Sequence, residues 1–130
     1  MPLVSIEIVA GKSPAYKKAL LDGVHAALVH ALKILQDDRN QRLHELAPEN
    51  YERRPGRTDK FTLVEITLFL GRSMEAKRSL YAKIVENLGR EPGIDGNDIM
   101  IVLHEVPLEN WGIRGGKPAS EVDLGFKVNV

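Results

Sequence analysis

Shifted by 60 residues, the sequence matches itself. Without gaps, residues 4–56 and 64–116 are identical at 16 of 53 positions, where average composition gives roughly 3. Self-similarity of that length makes the chain two copies of one supersecondary unit. The identities include Val4/Val64, Ile6/Ile66, Gly11/Gly71, Ser13/Ser73, Lys17/Lys77, Leu20/Leu80, Asp38/Asp98 and Leu43-His44-Glu45 with Leu103-His104-Glu105. Lys12/Arg72 and Tyr51/Trp111 are conservative pairs. At 130 residues, two separate cores would each be too small to bury most of their surface. The copies are therefore expected to share one domain spanning 1–130.

Each copy opens with a β-rich run, 3–9 and 61–70, closed by Gly and followed by a helix start. Ser13 is a natural N-cap with Pro14 behind it, and Ser73 is a cap with Glu75 in the first turn. Leu20, Val24, Ala27, Leu28, Ala31 and Leu35 recur at helical spacing in the first copy, and Leu80, Tyr81, Ile84, Val85 and Leu88 in the second. Further strands are expected at 40–46 and 99–106. Each copy thus reads strand, helix, strand, with a helix long enough for a right-handed parallel crossover. The fold class is α/β in two layers: a tandem β-α-β repeat giving a four-stranded sheet with two helices on one face.

Two helices cannot cover both faces of that sheet. Val4, Ile6 and Ile8 alternate with Ser5 and Glu7, so one face is expected to meet other subunits in a homo-oligomer. Leu124, Phe126, Val128 and Val130 alternate with Gly125, Lys127 and Asn129, the pattern of a half-buried edge strand that pairs across a subunit boundary. Residues 47–60 are polar and broken by Pro and Gly, hence a loop.

Eighteen basic residues balance eighteen acidic ones, so no overall field steers the protein to nucleic acid or an anionic membrane. With no cysteine there is no disulfide, no thiolate zinc site and no cysteine nucleophile, and the four histidines are scattered. No metal site is expected. Nothing approaches 18 uninterrupted apolar residues and the start lacks a secretory pattern, so a soluble, cytoplasmic protein is expected.

Pro2 follows the initiator Met, whose removal would leave a free prolyl amine. An α-amino group titrates near 8, and apolar or cationic surroundings lower that value. Such an amine can act as a neutral base, or as an acid while protonated. Proline at a strand's first residue also has a purely structural explanation. Arg72 stands where a strand ends and a helix N-terminus begins, a place that favours an anion such as a carboxylate; the structural alternative is a surface Arg or an ion pair. Lys12 holds the matching place in the first copy and reads as a surface lysine. Asp38 could orient a water or a substrate hydroxyl, but Asp also favours turns, and Asp98 repeats it. His25 and His30 read as helix residues with structural hydrogen bonds. Trp111, followed by Gly112-Ile113-Arg114-Gly115-Gly116, could wall an apolar pocket or pack a turn.

In these residues the chain resembles the tautomerase superfamily, β-α-β proteins that use an amino-terminal proline. Leu70-Gly71-Arg72-Ser73 is similar to the strand-Gly-Arg-Ser turn of 4-oxalocrotonate tautomerases, and 111–116 to their aromatic-Gly-Ile-Gly-Gly segment. In length, and around 20–25, Asp38-Arg39 and Trp111, the chain resembles the fused malonate semialdehyde decarboxylases more closely still. The resemblance implies a cofactor-independent enzyme acting on a small carboxylic acid. It also implies a homotrimer, with Pro2 as acid or base, Arg72 on the substrate carboxylate, Asp38 positioning a water or polarising the reacting group, and Trp111 shaping the pocket. Decarboxylases of this kind carry Arg-Pro-Arg where this chain has Leu70-Gly71-Arg72. That difference favours keto-enol tautomerisation over the alternative, a decarboxylase or hydratase of a 3-oxo acid. The cis-3-chloroacrylic acid dehalogenases share a histidine near His25, but their second arginine is likewise missing. A third alternative is a non-catalytic trimeric binding protein of the same fold.

Overall fold

The computed structural model describes residues 2–130. β1 (Pro2–Val9), α1 (Pro14–Leu32) and β2 (Gln41–Leu46) form the first copy; β3 (Thr62–Phe69), α2 (Met74–Arg90) and β4 (Ile99–Val106) form the second. The sheet order is β2-β1-β3-β4. Pairing is parallel inside each copy, β1 with β2 and β3 with β4, and antiparallel between copies, β1 with β3. Ser5 pairs with Glu65, its own counterpart 60 residues on, so the copies are related by a pseudo-two-fold axis through that pair.

The caps act as their chemistry requires. The Ser13 side chain accepts from the Tyr16 N–H, and Ser73 accepts from that of Ala76. α1 stops because Lys33 is left-handed, at φ 59°, and its N–H bonds back to Val29 O. Leu35 therefore falls outside the helix and is exposed, contrary to the periodicity, and Val85 likewise faces solvent. Val4, Ile6, Ile8, Val64, Ile66 and Leu68 are buried under Leu20, Val24, Leu28, Leu80, Ile84 and Leu88. The helices meet closely at Gly23, where an added Cβ would lie 2.9 Å from Leu88 Cδ2, and Asn87 Nδ2 donates to Gly23 O.

Leu3, Met100 and Val102 lie exposed on the opposite sheet face, which no helix covers. Among the described residues no helix is long and apolar enough to cross a membrane. Residues 124–130 alternate in burial as the sequence predicts, and within the single chain they pair with no other strand; the expected pairing across a subunit boundary involves a partner chain. Within the chain they are held by side-chain contacts to the end of β3 and the turn after it.

Candidate active site

The register brings the candidate residues to one end of the sheet. Pro2 lies opposite Leu68 at the end of β3, and Leu68 in turn pairs with Glu105 near the end of β4. On the other side of β1, the Val4 N–H donates to Asn40 O, just before β2. The start of β1, the approach to β2 and the ends of β3 and β4 therefore share one edge. Pro2 itself is buried. The expected loss of Met1 lies outside the described residues.

Arg72 follows directly from the end of β3. Gly71 turns the chain at φ 136°, in a region that favours glycine, and Ser73 then caps α2. The Arg72 side chain folds back, and Nη1 donates to Phe69 O at 3.0 Å. It is only 6% exposed, yet among the described residues Nε and Nη2 have no hydrogen-bond partner. Burial lowers its pKa from the ordinary value, and the Glu105 carboxylate opposes that shift. Glu105 is itself tied to Lys77 at 2.5 Å. A guanidinium with two unpaired nitrogens at a helix N-terminus has the donor set to take an anion with two oxygens.

Trp111 is half-buried. Its Nε1 donates to Val106 O at 3.1 Å, and its ring stands edge-on to Phe69 with centroids 4.8 Å apart. It thus packs the turn after β4, the structural reading, while standing against the residue whose carbonyl holds Arg72. Phe69 also stacks on Phe126 at 6.1 Å. Asp38 Oδ1 accepts from Asn40 Nδ2 at 3.0 Å. With Leu35, Ile113, Arg114, Leu124 and Phe126 it lines a cavity of about 260 Å³. Phe126 links this cavity to the Phe69, Trp111 and Arg72 cluster.

Asp98, the repeat counterpart of Asp38, is buried and accepts from the backbone N–H and hydroxyl of Thr58, a structural role. Lys12, counterpart of Arg72, donates to Asp59 O at the other end of the sheet. His25 is buried with Nε2 bonded to Gln36 O, as the structural reading expects. Sequence reasoning missed Phe126, Arg114 and Glu105 as neighbours of the site. The apolar alternation of 124–130 carried part of that information, but not which surface the segment would cover. Among the described residues no group of three or more His, Cys, Asp or Glu is placed to hold a metal ion.

The sequence profile of a family described as tautomerase enzyme matches residues 38–114, and a second profile of the same description matches 2–57. Probable tautomerase YrdN of Bacillus subtilis is 30% identical over 123 residues, covering 90% of this chain and 94% of that protein. A solved malonate semialdehyde decarboxylase superposes with a TM-score of 0.81 at 26% identity, over 89% of this chain and 93% of the other. A fused 4-OT, solved as a symmetric trimer, gives 0.81 at 27% identity over 91% and 96%.

Proposed function

The chain belongs to the tautomerase enzyme family, and on that premise we propose that it interconverts the enol and keto forms of a small 2-oxo carboxylic acid without a cofactor. In this reading the initiator Met is removed and the Pro2 nitrogen is the proton carrier. The neutral amine takes the enol hydroxyl proton as the O–H bond breaks. The oxygen pair forms the C=O bond, the C=C pair accepts a proton at carbon, and the amine ends neutral. Arg72 holds the carboxylate on Nε and Nη2, Asp38 orients a water or the reacting oxygen, and Trp111 shapes the apolar wall. The observation that carries this reading is the buried guanidinium with two unpartnered nitrogens at the α2 N-terminus. We read the whole chain as one domain, assembled as a homotrimer through its bare sheet face. The support is the exposed Leu3, Met100 and Val102 together with the trimeric fused 4-OT of similar fold.

The test has two parts. Intact mass must show loss of one Met, since every amine mechanism needs it. Ketonisation of phenylenolpyruvate is then expected to fall by about 10²-fold or more in Pro2→Ala. In Arg72→Ala, KM should rise more than kcat falls. Unchanged turnover in Pro2→Ala removes the need for the secondary prolyl amine, and unchanged turnover in protein that keeps Met1 removes a free amine at residue 2 altogether. A second reading, decarboxylation of a 3-oxo acid with a protonated Pro2 polarising the carbonyl, is favoured by the similarity to malonate semialdehyde decarboxylase. The pH profile separates the two: the tautomerase gains rate as the amine deprotonates and the decarboxylase loses it.

A further inference from the structure

The segment 123–130 has no helix or strand, yet it is fastened at four places. Arg114, itself left-handed at φ 49°, donates from Nη1 to Asp123 O and from Nη2 to Leu124 O. Phe126 stacks on Phe69. Val128 and Asn129 press on the turn before α2: a Cβ at Gly71 would sit 3.0 Å from Val128 Cγ1 and 2.7 Å from Asn129 Oδ1. Finally, the Ser73 hydroxyl donates to Val130 O at 2.7 Å.

These contacts fall on the turn that carries Arg72, and on Phe69, whose carbonyl that guanidinium holds. Leu124 and Phe126 also wall the cavity that Asp38 lines. The arrangement is therefore closed: Arg72 has two nitrogens to offer an anion and is 6% exposed. Because every tie is a side-chain contact, the segment can lift without breaking a backbone ladder of the sheet or a turn of either long helix.

We propose that residues 123–130 are a movable wall of the site, which must lift from the Gly71–Ser73 turn before a carboxylate reaches Arg72, with Arg114 and Phe126 as the positioning residues that set its closed state. The inference rests on the reading of Arg72 as the anion anchor. A closed state that dominates weakens apparent affinity by the fraction of open molecules, so loosening the wall strengthens binding. That sign is diagnostic, because a merely structural role for the same residues would weaken binding when they are removed.

The experiment measures pyruvate binding by calorimetry, with no turnover required. The proteins are wild type, Phe126→Ala, Arg114→Gln and a chain lacking 125–130, each checked for retained helicity and equal oligomeric mass. Affinity is expected to rise about tenfold in Phe126→Ala and in the shortened chain, and less in Arg114→Gln. Trp111 is the only tryptophan, and it stands one ring away from Phe126. Its emission should shift on pyruvate binding in wild type and lose that shift in Phe126→Ala. Arg72→Ala separates the two proposals. If pyruvate binds Arg72→Ala as well as wild type, or binds neither, the anchor reading fails and the wall goes with it. If Arg72→Ala abolishes binding while the wall variants bind equally or more weakly, the wall is fixed and only this inference fails. Should the shortened chain not fold, the two point variants decide the matter alone.

Discussion

Among the described residues Nε and Nη2 of the Arg72 guanidinium are buried without a partner, and a donor removed from water with nothing gained in exchange is expected to cost the fold stability. Replacing it with an apolar side chain of similar length should therefore help the fold while harming the site. Arg72→Met is expected to raise the free energy of unfolding by on the order of 1–3 kcal/mol, read by urea titration, while pyruvate binding is lost. A destabilised Arg72→Met would mean the charge already has its partner. Tyr51 shows the related effect of a buried phenol. Among the described residues its hydroxyl also lacks a partner, and burial, with the Glu7 charge, pushes its pKa up to about 12 from 10.0. The folded value lies above the unfolded one, so this contribution to stability is complete below pH 10.0 and is lost as pH rises toward about 12. Unfolding free energies measured across that window should fall more steeply in wild type than in Tyr51→Phe. Equal slopes would show that the phenol ionises as freely in the folded protein as in water.

The helix caps, two copies of one device, differ in what else they hold. Ser13 serves only its own helix in the hydrogen bonds described, whereas Ser73 also donates to Val130 O. Ser13→Ala should cost about 1 kcal/mol. Ser73→Ala should cost that much plus a further ~1 kcal/mol for the lost bond. Thermal unfolding of the two single variants checks the difference, and equal losses would show that Val130 is not held there. These elements were legible because repeat, cap and periodicity agreed: Ser13, Ser73 and the buried leucines occupy the expected places. Leu35 was misread because nothing in its own neighbourhood announces the left-handed Lys33 that ends α1. The 124–130 run was legible only in its alternation. Alternation reports which side chains face protein, and Leu124, Phe126, Val128 and Val130 do so. It does not report which surface the segment covers, which depended on the aromatic ring of Phe69 and on Gly71, whose missing Cβ lets Val128 and Asn129 approach closely. Arg72 was legible as a candidate from its place after a strand and before a cap. Its missing partners were not legible, since they depend on the folded-back side chain.

At the scale of the molecule, the bare sheet face is built of rows that the register defines. His44, Glu7, Leu63 and Met100 form one row, Arg42, Ser5, Glu65 and Val102 the next, and Leu3, Thr67 and His104 a third. The rows mix apolar groups with charges of both signs, and His104 Nε2 lies 2.8 Å from Glu65 Oε2. A face left wholly to water needs no Leu3, Met100 or Val102, and a buried core would not tolerate the charges of Glu7 and Arg42 without partners. Such a mixture fits a surface whose charges are paired by another copy, which is the logic of the proposed trimer. Val102→Asp is the sharpest probe, because it sets a second carboxylate in register with Glu65 across the β3–β4 pair of that face. Light scattering of the wild type is expected to give three times the 14.5 kDa of one chain, and Val102→Asp to give 14.5 kDa with its helix content retained. Ketonisation should fall with the mass if neighbouring subunits complete the site, and should persist in the monomer if each chain is sufficient. A wild type of 14.5 kDa, or a variant that keeps the higher mass, would place the subunit contact somewhere other than this face.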